Sequence, residues 1–255
     1  WLGLAPWTVL CLPKGVPITA RLESKNPNDP AVLLEREDLE KIVREVRYYS
    51  DPVDLNREVL DEGTFHVVYP DPRLRGCQEV LEASPERRYD TPPDRETLFS
   101  EEDPASHWWF AWVLARVEHG PHDWTTLIFD EIGDIAPQSA RKDSFGSYQK
   151  VELLKDTWVD ARKFGLSIFC FGHSEVDIHQ SIRHKIRWRI QMPKTANPTT
   201  ASEVVGFESV PMNTDLTSRN SVGEALMYTE TNFEGFKWKD VPSATPYKLK
   251  LEVGR

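Results

Sequence analysis

Cysteine is scarce in this 255-residue chain, methionine equally so, and basic residues are outnumbered by acids. Each shortage excludes something. Cys11, Cys77 and Cys170 share no metal-ligand spacing, so neither a cysteine-based zinc site nor a dense disulfide framework is expected. An odd, scattered set reads as free buried thiols in a reducing compartment, and a cytoplasmic protein is expected. Lysine and arginine total 31 against 41 acids, a net charge of −10. A body that coats nucleic acid through a basic face is thereby excluded, although a local basic track is not. No run reaches the ~20 apolar residues that span a bilayer. The opening WLGLAPWTVLCLP is short and twice broken by proline, as suits a core strand and its lead-in rather than a signal peptide. The chain begins at Trp1 rather than Met, so preceding sequence is expected. Internal repeats, heptad runs and low-complexity tracts are missing too.

What remains is a composition of 39% hydrophobic and 28% charged residues, that of a soluble globular protein. Its length suits one large α/β domain or two small ones. WTVLCL (7–12), AVLLE (31–35), TFHVVYPDP (64–72), TTLIFDE (125–131) and LSIFCF (166–171) read as strands. REDLEKIVREVRYY (36–49) reads as a helix, with Leu39, Ile42, Val43 and Val46 at helical spacing. DPVDLNREVLDEG (51–63), RGCQEVLEA (75–83) and PASHWWFAWVLARVEHG (104–120) read as further helices, with Gly63 and Gly120 as stops. SYQKVELLKDTWVDARKFG (147–165) is a helix with Val151, Leu154, Trp158 and Ala161 on one face and Gly165 as its cap. Residues 84–106, rich in Pro, Asp, Glu and Arg, read as a long surface loop or insertion. IRWRIQM (186–192) alternates apolar and basic residues, which predicts an apolar face turned inward and a basic face turned out. VGEALMYTE and NFEGFKWKDVP read as a hairpin within a C-terminal extension, 221–255. Continuously apolar strands separated by helices imply a mostly parallel sheet covered on both faces, in a single domain over 1–255.

TTLIFDE ends in two adjacent acids, Asp130 and Glu131. If this is a core strand, burying those carboxylates costs several kcal/mol, roughly, unless something pairs with them. Ligands of open α/β sheets bind at the carboxyl ends of strands. LSIFCFGHS delivers His173 and Ser174 to the end of another strand. Two acids and a polar pair at one edge suit a nucleotide–Mg²⁺ site. One acid holds the metal or its water shell, the second orients and deprotonates the attacking water, and the polar group senses the γ-phosphate. Plainer readings stand beside this one. The acids can cap the next segment, His173 can be a turn residue, and Arg162 can be a cation favoured by a helix C-terminus. HWWFAW (107–112) lacks interleaved basic residues and reads as core packing or a subunit contact rather than a base-stacking platform.

The Walker-B-like LIFDEIGDIAP, the helix ending ARKFGLSI, the polar turn GHSEVDIHQSI and the basic strand IRWRIQMP together resemble the second half of a P-loop ATPase of the HerA/FtsK superfamily. GEALMY and the hairpin after it resemble that superfamily's C-terminal end. The superfamily includes DNA pumps, conjugative coupling ATPases and viral genome-packaging ATPases. The resemblance implies an α/β fold of the three-layer RecA-like type, with a mostly parallel central sheet and a C-terminal β-hairpin. It implies ATP and Mg²⁺ as cofactors, double-stranded DNA as partner and a homo-oligomeric, hexameric ring, with a capsid or nuclease partner and virion association if the source is viral. Asp130 would be the Mg²⁺-linked acid, Glu131 the catalytic base, His173 the sensor and Arg162 a finger inserted into a neighbour's site. The G-x-x-x-x-G-K-[ST] loop that such enzymes need is not intact. LPKGVPIT (12–19) keeps Lys14 and Gly15 of a PKG opening, with Thr19 in the hydroxyl position as phosphate and metal contacts, but Pro17 and Ile18 replace the second glycine and the lysine. The loop is degenerate, or lies upstream, or has lost residues between Gly15 and Val16. A catalytically inactive homologue acting as a structural or assembly subunit is the alternative. A two-metal phosphoesterase using the acid pair would want a further carboxylate cluster, which the sequence does not offer.

Overall fold

In a computed structural model of the chain, residues 2–84, 97–99, 104–140, 147–194, 217–229, 232–239 and 247–254 are described. The chain divides into two units, Trp1–His179 with Ser243–Arg255, and Gln180–Pro242.

The first unit is organised by β1 (Thr8–Pro13), in which every residue is buried. A turn at 14–17 leads into β2 (Ile18–Ser24), which pairs antiparallel with β3 (Val32–Leu34). α1 (Arg36–Ile42) follows, and then β4 (Glu45–Tyr49), which runs parallel to β1 along one edge. Asp51 caps α2 (Pro52–Asp54) by accepting from the N–H groups of Val53 and Asp54, and the chain winds through a π turn to β5 (Phe65–Val68), parallel to β1 on the other edge. α3 (Cys77–Glu82) and α4 (Pro104–Glu118) come next. β6 (Thr125–Phe129), α5 (Ile132–Ile135), α6 (Ser147–Ala161) and β7 (Leu166–Cys170) complete the run, with β6 and β7 parallel.

The second unit contains α7 (Gln180–Arg183) and an antiparallel sheet of β8 (Arg189–Gln191), β9 (Glu224–Tyr228) and β10 (Phe233–Lys237) in the order β10-β9-β8. β11 (Tyr247–Val253) belongs to the first unit and pairs antiparallel with β2. Leu10 and Leu12 of β1 pack with Ala20 of β2, Leu39 and Val43 around α1, and Leu249 of β11, so the antiparallel sheet and α1 cover one face of the central strand. Tyr49, at the end of β4, meets Trp108 of α4 with ring centroids 5.4 Å apart. Trp109 meets Phe129 of β6 edge-on at 5.5 Å.

The chain is thus mixed α/β, but no single large parallel sheet forms among the described residues. Parallel pairing is split between β4-β1-β5 and β6-β7. The reason is local. β4 and β5 occupy both edges of β1, leaving none for β6 or β7, and β2 pairs antiparallel with β3 and β11 in a sheet of its own. Nor is β6-β7 covered on both faces. Leu127 and Phe129 are buried, whereas Ile128 and its register partner Phe169 are each 54% exposed.

Three further expectations change. Residues 36–49 are a helix only to Ile42. Val43 is already extended, and 45–49 become the strand that fills an edge of β1. Most of 84–106 lies outside the described residues, but Leu98 and Phe99 are buried, tethered where Leu98 N–H and Thr97 Oγ1 donate to Gln78 Oε1 at 3.2 and 2.9 Å. In 186–192, Ile186 is half-buried and Arg187 exposed as expected, but from Trp188 to Gln191 the faces are inverted. Cross-strand partners share a face, and Arg189 and Gln191 lie opposite the buried Tyr228 and Leu226, while Trp188 and Ile190 are exposed. Arg189 Nη2 donates to the Arg183 carbonyl at 3.2 Å, which gives that half-buried guanidinium a partner.

Two measurements check this packing. Urea unfolding of Leu10→Ala, at a fully buried site on β1, should show a loss of about 2–5 kcal/mol, whereas Ile128→Thr on the open face of β6 should stay within about 0.5 kcal/mol of wild type. Burial pushes the Cys11 and Cys170 thiols each up to about 12 and raises Cys77 as well. An aromatic disulfide reagent at pH 8 should therefore titrate the fully buried Cys11 and Cys77 only after denaturation, and half-buried Cys170 ahead of them; fast reaction of Cys11 or Cys77 in the native protein would contradict the packing around them.

Candidate functional site

The carboxyl ends of β6 and β7 are locked together beyond the strands themselves. Phe171 N–H donates to the Phe129 carbonyl at 2.8 Å, and Ile132 N–H donates to the Phe171 carbonyl at 2.9 Å. The chain therefore leaves both strands at one edge, with Asp130 and Glu131 on one side and Gly172 and His173 on the other. His173 Nε2 lies 2.9 Å from Glu131 Oε1. Of the residues expected to form the site, this is the pair the structure brings into contact. Glu131 takes a left-handed backbone (φ 58°, ψ 60°) at the start of α5, and its side chain makes no cap hydrogen bond there. A non-glycine residue in that region carries about 1–2 kcal/mol of strain, of a kind concentrated at functional sites. Asp130 is exposed. The premise that these acids are buried and need neutralising is thus corrected. The open edge of a two-stranded sheet leaves them hydrated, and neither carboxylate is spent on capping α5.

Arg162 stands elsewhere. It opens the short turn Arg162–Phe164 after α6, is exposed, and precedes Gly165 (φ +70°), whose carbonyl accepts from Thr125 N–H at 2.8 Å. That places it at the amino edge of β6-β7, a five-residue strand away from Glu131, or roughly 16 Å at ~3.3 Å per residue.

Lys14, Gly15 and Thr19 are not gathered into a phosphate cradle. Lys14 N–H donates to the Tyr49 carbonyl at 2.9 Å, and Gly15 takes φ +67° in the turn. Thr19 is the second residue of β2 and lies opposite Glu252 in the ladder with β11. A helix N-terminus, whose free N–H groups would face a phosphate, does not follow this turn. Mg²⁺ usually takes one or two carboxylates plus phosphate oxygens and water. Exposed Asp130 fits that sparse role, and Thr19, in a different sheet, does not. Among the described residues no group of three or more His, Cys, Asp or Glu side chains could hold a metal on its own, and no helix is long and apolar enough to cross a membrane.

One constellation escaped the sequence reading. Asp71 is fully buried just beyond β5 and accepts from Arg75 Nε at 2.6 Å, while Arg75 Nη2 donates to the Lys14 carbonyl at 2.7 Å. The Asp–Arg spacing of four was visible, but the contact with Lys14 joins residues 61 apart and had no local signal. No protein-family model matches the chain, and no curated protein matches it.

Unfolding of Glu131→Gly tests whether the left-handed turn serves function or folding. Relief of backbone strain outweighs glycine's entropy and the loss of an exposed pair, so the variant should be as stable as wild type or up to about 1 kcal/mol more stable. A loss above about 2 kcal/mol would assign Glu131 a structural role.

Proposed function

We propose that the chain is a subunit of an ATP-driven, ring-forming motor that moves double-stranded DNA, in genome packaging or DNA processing. The observation that carries this reading is the 2.9 Å contact between Glu131 and His173 across the carboxyl ends of two parallel strands, with Asp130 unencumbered beside it. Asp130 holds Mg²⁺ or its water shell, and Glu131 orients and deprotonates the attacking water. His173, on the neighbouring strand, reports the state of the phosphate to Glu131. Arg162 lies at the far edge and acts on a neighbouring subunit's nucleotide, which fits a homo-oligomer. The choice of DNA as the moved polymer rests on the resemblance of residues 124–192 to the HerA/FtsK superfamily.

A second reading draws on a separate observation. The turn after β1 runs into a strand, and Pro17 offers no N–H, so residues 12–19 supply no phosphate cradle. Unless another part of the protein provides that loop, the chain is a non-hydrolysing structural or assembly subunit.

ATP turnover by the full-length protein, with and without double-stranded DNA, separates the two. The motor reading expects hydrolysis that falls about 10²–10⁴-fold in Glu131→Gln and about 10³–10⁵-fold in Arg162→Ala. Mixing the two variants should restore part of the activity, because intact sites then form between unlike subunits. Hydrolysis that is undetectable, or indifferent to Glu131, would leave the structural reading in place.

A further inference from the structure

A cavity of about 460 Å³ opens at the carboxyl edge of the β4-β1-β5 sheet, away from the Glu131–His173 pair. Its size is that of sites for small ligands, and the carboxyl edge of a parallel sheet is where such ligands bind. Ser50 and Asp51 line it from the end of β4, Arg75 from the entry to α3, Glu79 and Val80 from α3 itself, and His119 from just beyond α4, with Val53 of α2 beside them.

The polar groups are not equally available. The charge of Arg75 is met by fully buried Asp71, and its Nη2 is directed to the Lys14 carbonyl. Asp51 uses Oδ1 for the N–H groups of Val53 and Asp54, at 2.8 and 2.9 Å. Its Oδ2 keeps acceptor capacity, since an ionised carboxylate offers about four lone-pair sites. Glu79 is exposed, and among the described residues no cation pairs with either Asp51 or Glu79. After burial itself, Asp71, Glu79 and Asp51 are what push the Cys77 thiol upward.

We propose that this cavity binds the head of a small organic cation, an alkylammonium or alkylguanidinium group. Asp51 Oδ2 and Glu79 accept its N–H bonds, while Val53 and Val80 cover its aliphatic stem. Charge-assisted bonds of this kind are about twice as strong as neutral ones. An anion meets the carboxylates of Asp51 and Glu79 and an Arg75 whose guanidinium is already taken by Asp71 and the Lys14 carbonyl, and an uncharged diol gains only ordinary hydrogen bonds. The cation has two sources, a free amine or the side chain of a lysine or arginine on another protein.

Calorimetric titration of the full chain with agmatine, putrescine, Nα-acetyl-lysine N-methylamide and uncharged 1,4-butanediol tests the assignment. Saturable binding of the cations but not of the diol is expected. Glu79→Gln and Asp51→Asn should each weaken it about tenfold or more, and asparagine keeps the helix cap intact. Tighter binding of the lysine amide than of agmatine and putrescine assigns the source to a protein side chain. Binding of the free amines alone assigns it to a small molecule. No saturable heat from any cation, or affinities unchanged in both variants, overturns the proposal. Glu131 takes no part, so the outcome is independent of ATP hydrolysis.

Discussion

The packing of α4 between two separate parallel sheets is the constraint on which the rest of the first unit depends. Trp108 is fully buried against Tyr49 of β4, and the next residue, Trp109, stacks edge-on against Phe129 of β6. Phe110, Trp112, Val113 and Leu114 are buried as well, so the helix is apolar nearly all round, the pattern of an element enclosed by neighbours. Its C-terminal end is tied to the next strand. Gly120 turns the chain at φ +68°, and buried Arg116 donates to the Asp123 carbonyl and to Thr125 Oγ1. β6 therefore starts from a point fixed by α4, and five residues later it presents Asp130 and Glu131. The position of the acids is a consequence of the aromatic helix, not of any interaction the acids make.

Charge plays unlike roles at the two sheet edges. At β6-β7 the acids are open to solvent, and the Glu131–His173 pair, largely exposed, contributes at most about 1 kcal/mol. Such a pair cannot hold the strands together. The backbone bonds through Phe129, Phe171 and Ile132 do that, which leaves the side chains free for chemistry. At β4-β1-β5 the reverse holds. Asp71 is buried, and leaving such a carboxylate without its guanidinium costs about 3–5 kcal/mol, so Arg75 is committed to structure. The Lys14–Gly15 turn is clamped in consequence. A turn fixed from both sides by Tyr49 and Arg75 is poorly suited to wrapping a phosphate.

The sequence was most informative where structure is set by near neighbours. α3, α4, α6, β5, β6 and β7 all fall within the segments expected, because capping residues and apolar spacing are local signals. It misled where two periodicities fit the same residues. Leu39, Ile42, Val43 and Val46 satisfy a helix, but EVRYY also satisfies a half-buried strand, and the vacant edge of β1 decides the matter through partners far away in sequence. The inversion from Trp188 to Gln191 has the same origin, since which face of an alternating strand is buried depends on its register with Leu226–Tyr228. For the site, the meeting of Glu131 with His173 was legible because both follow apolar strands of equal length. The left-handed backbone of Glu131 and the reach of Arg75 to Lys14 were not, because neither has a residue-type signature.

Geometry also links the proposed catalysis to the proposed assembly. Arg162 follows α6 at the amino edge of β7, whereas Glu131 and His173 leave the carboxyl edge, a full strand away. An extended arginine side chain spans well under that separation, roughly 16 Å, so the guanidinium does not reach its own Glu131–His173 pair. In the proposed site, a role for Arg162 in phosphoryl transfer therefore calls on a second subunit whose carboxyl edge approaches the first subunit's amino edge. Such a contact joins unlike surfaces, and contacts of that type close into rings when the rotation permits and otherwise run on as filaments. A monomer with this fold keeps the acid–histidine pair but lacks the cation. The proposed finger and the proposed ring therefore stand or fall together, while the assignments of Asp130 and Glu131 do not depend on either.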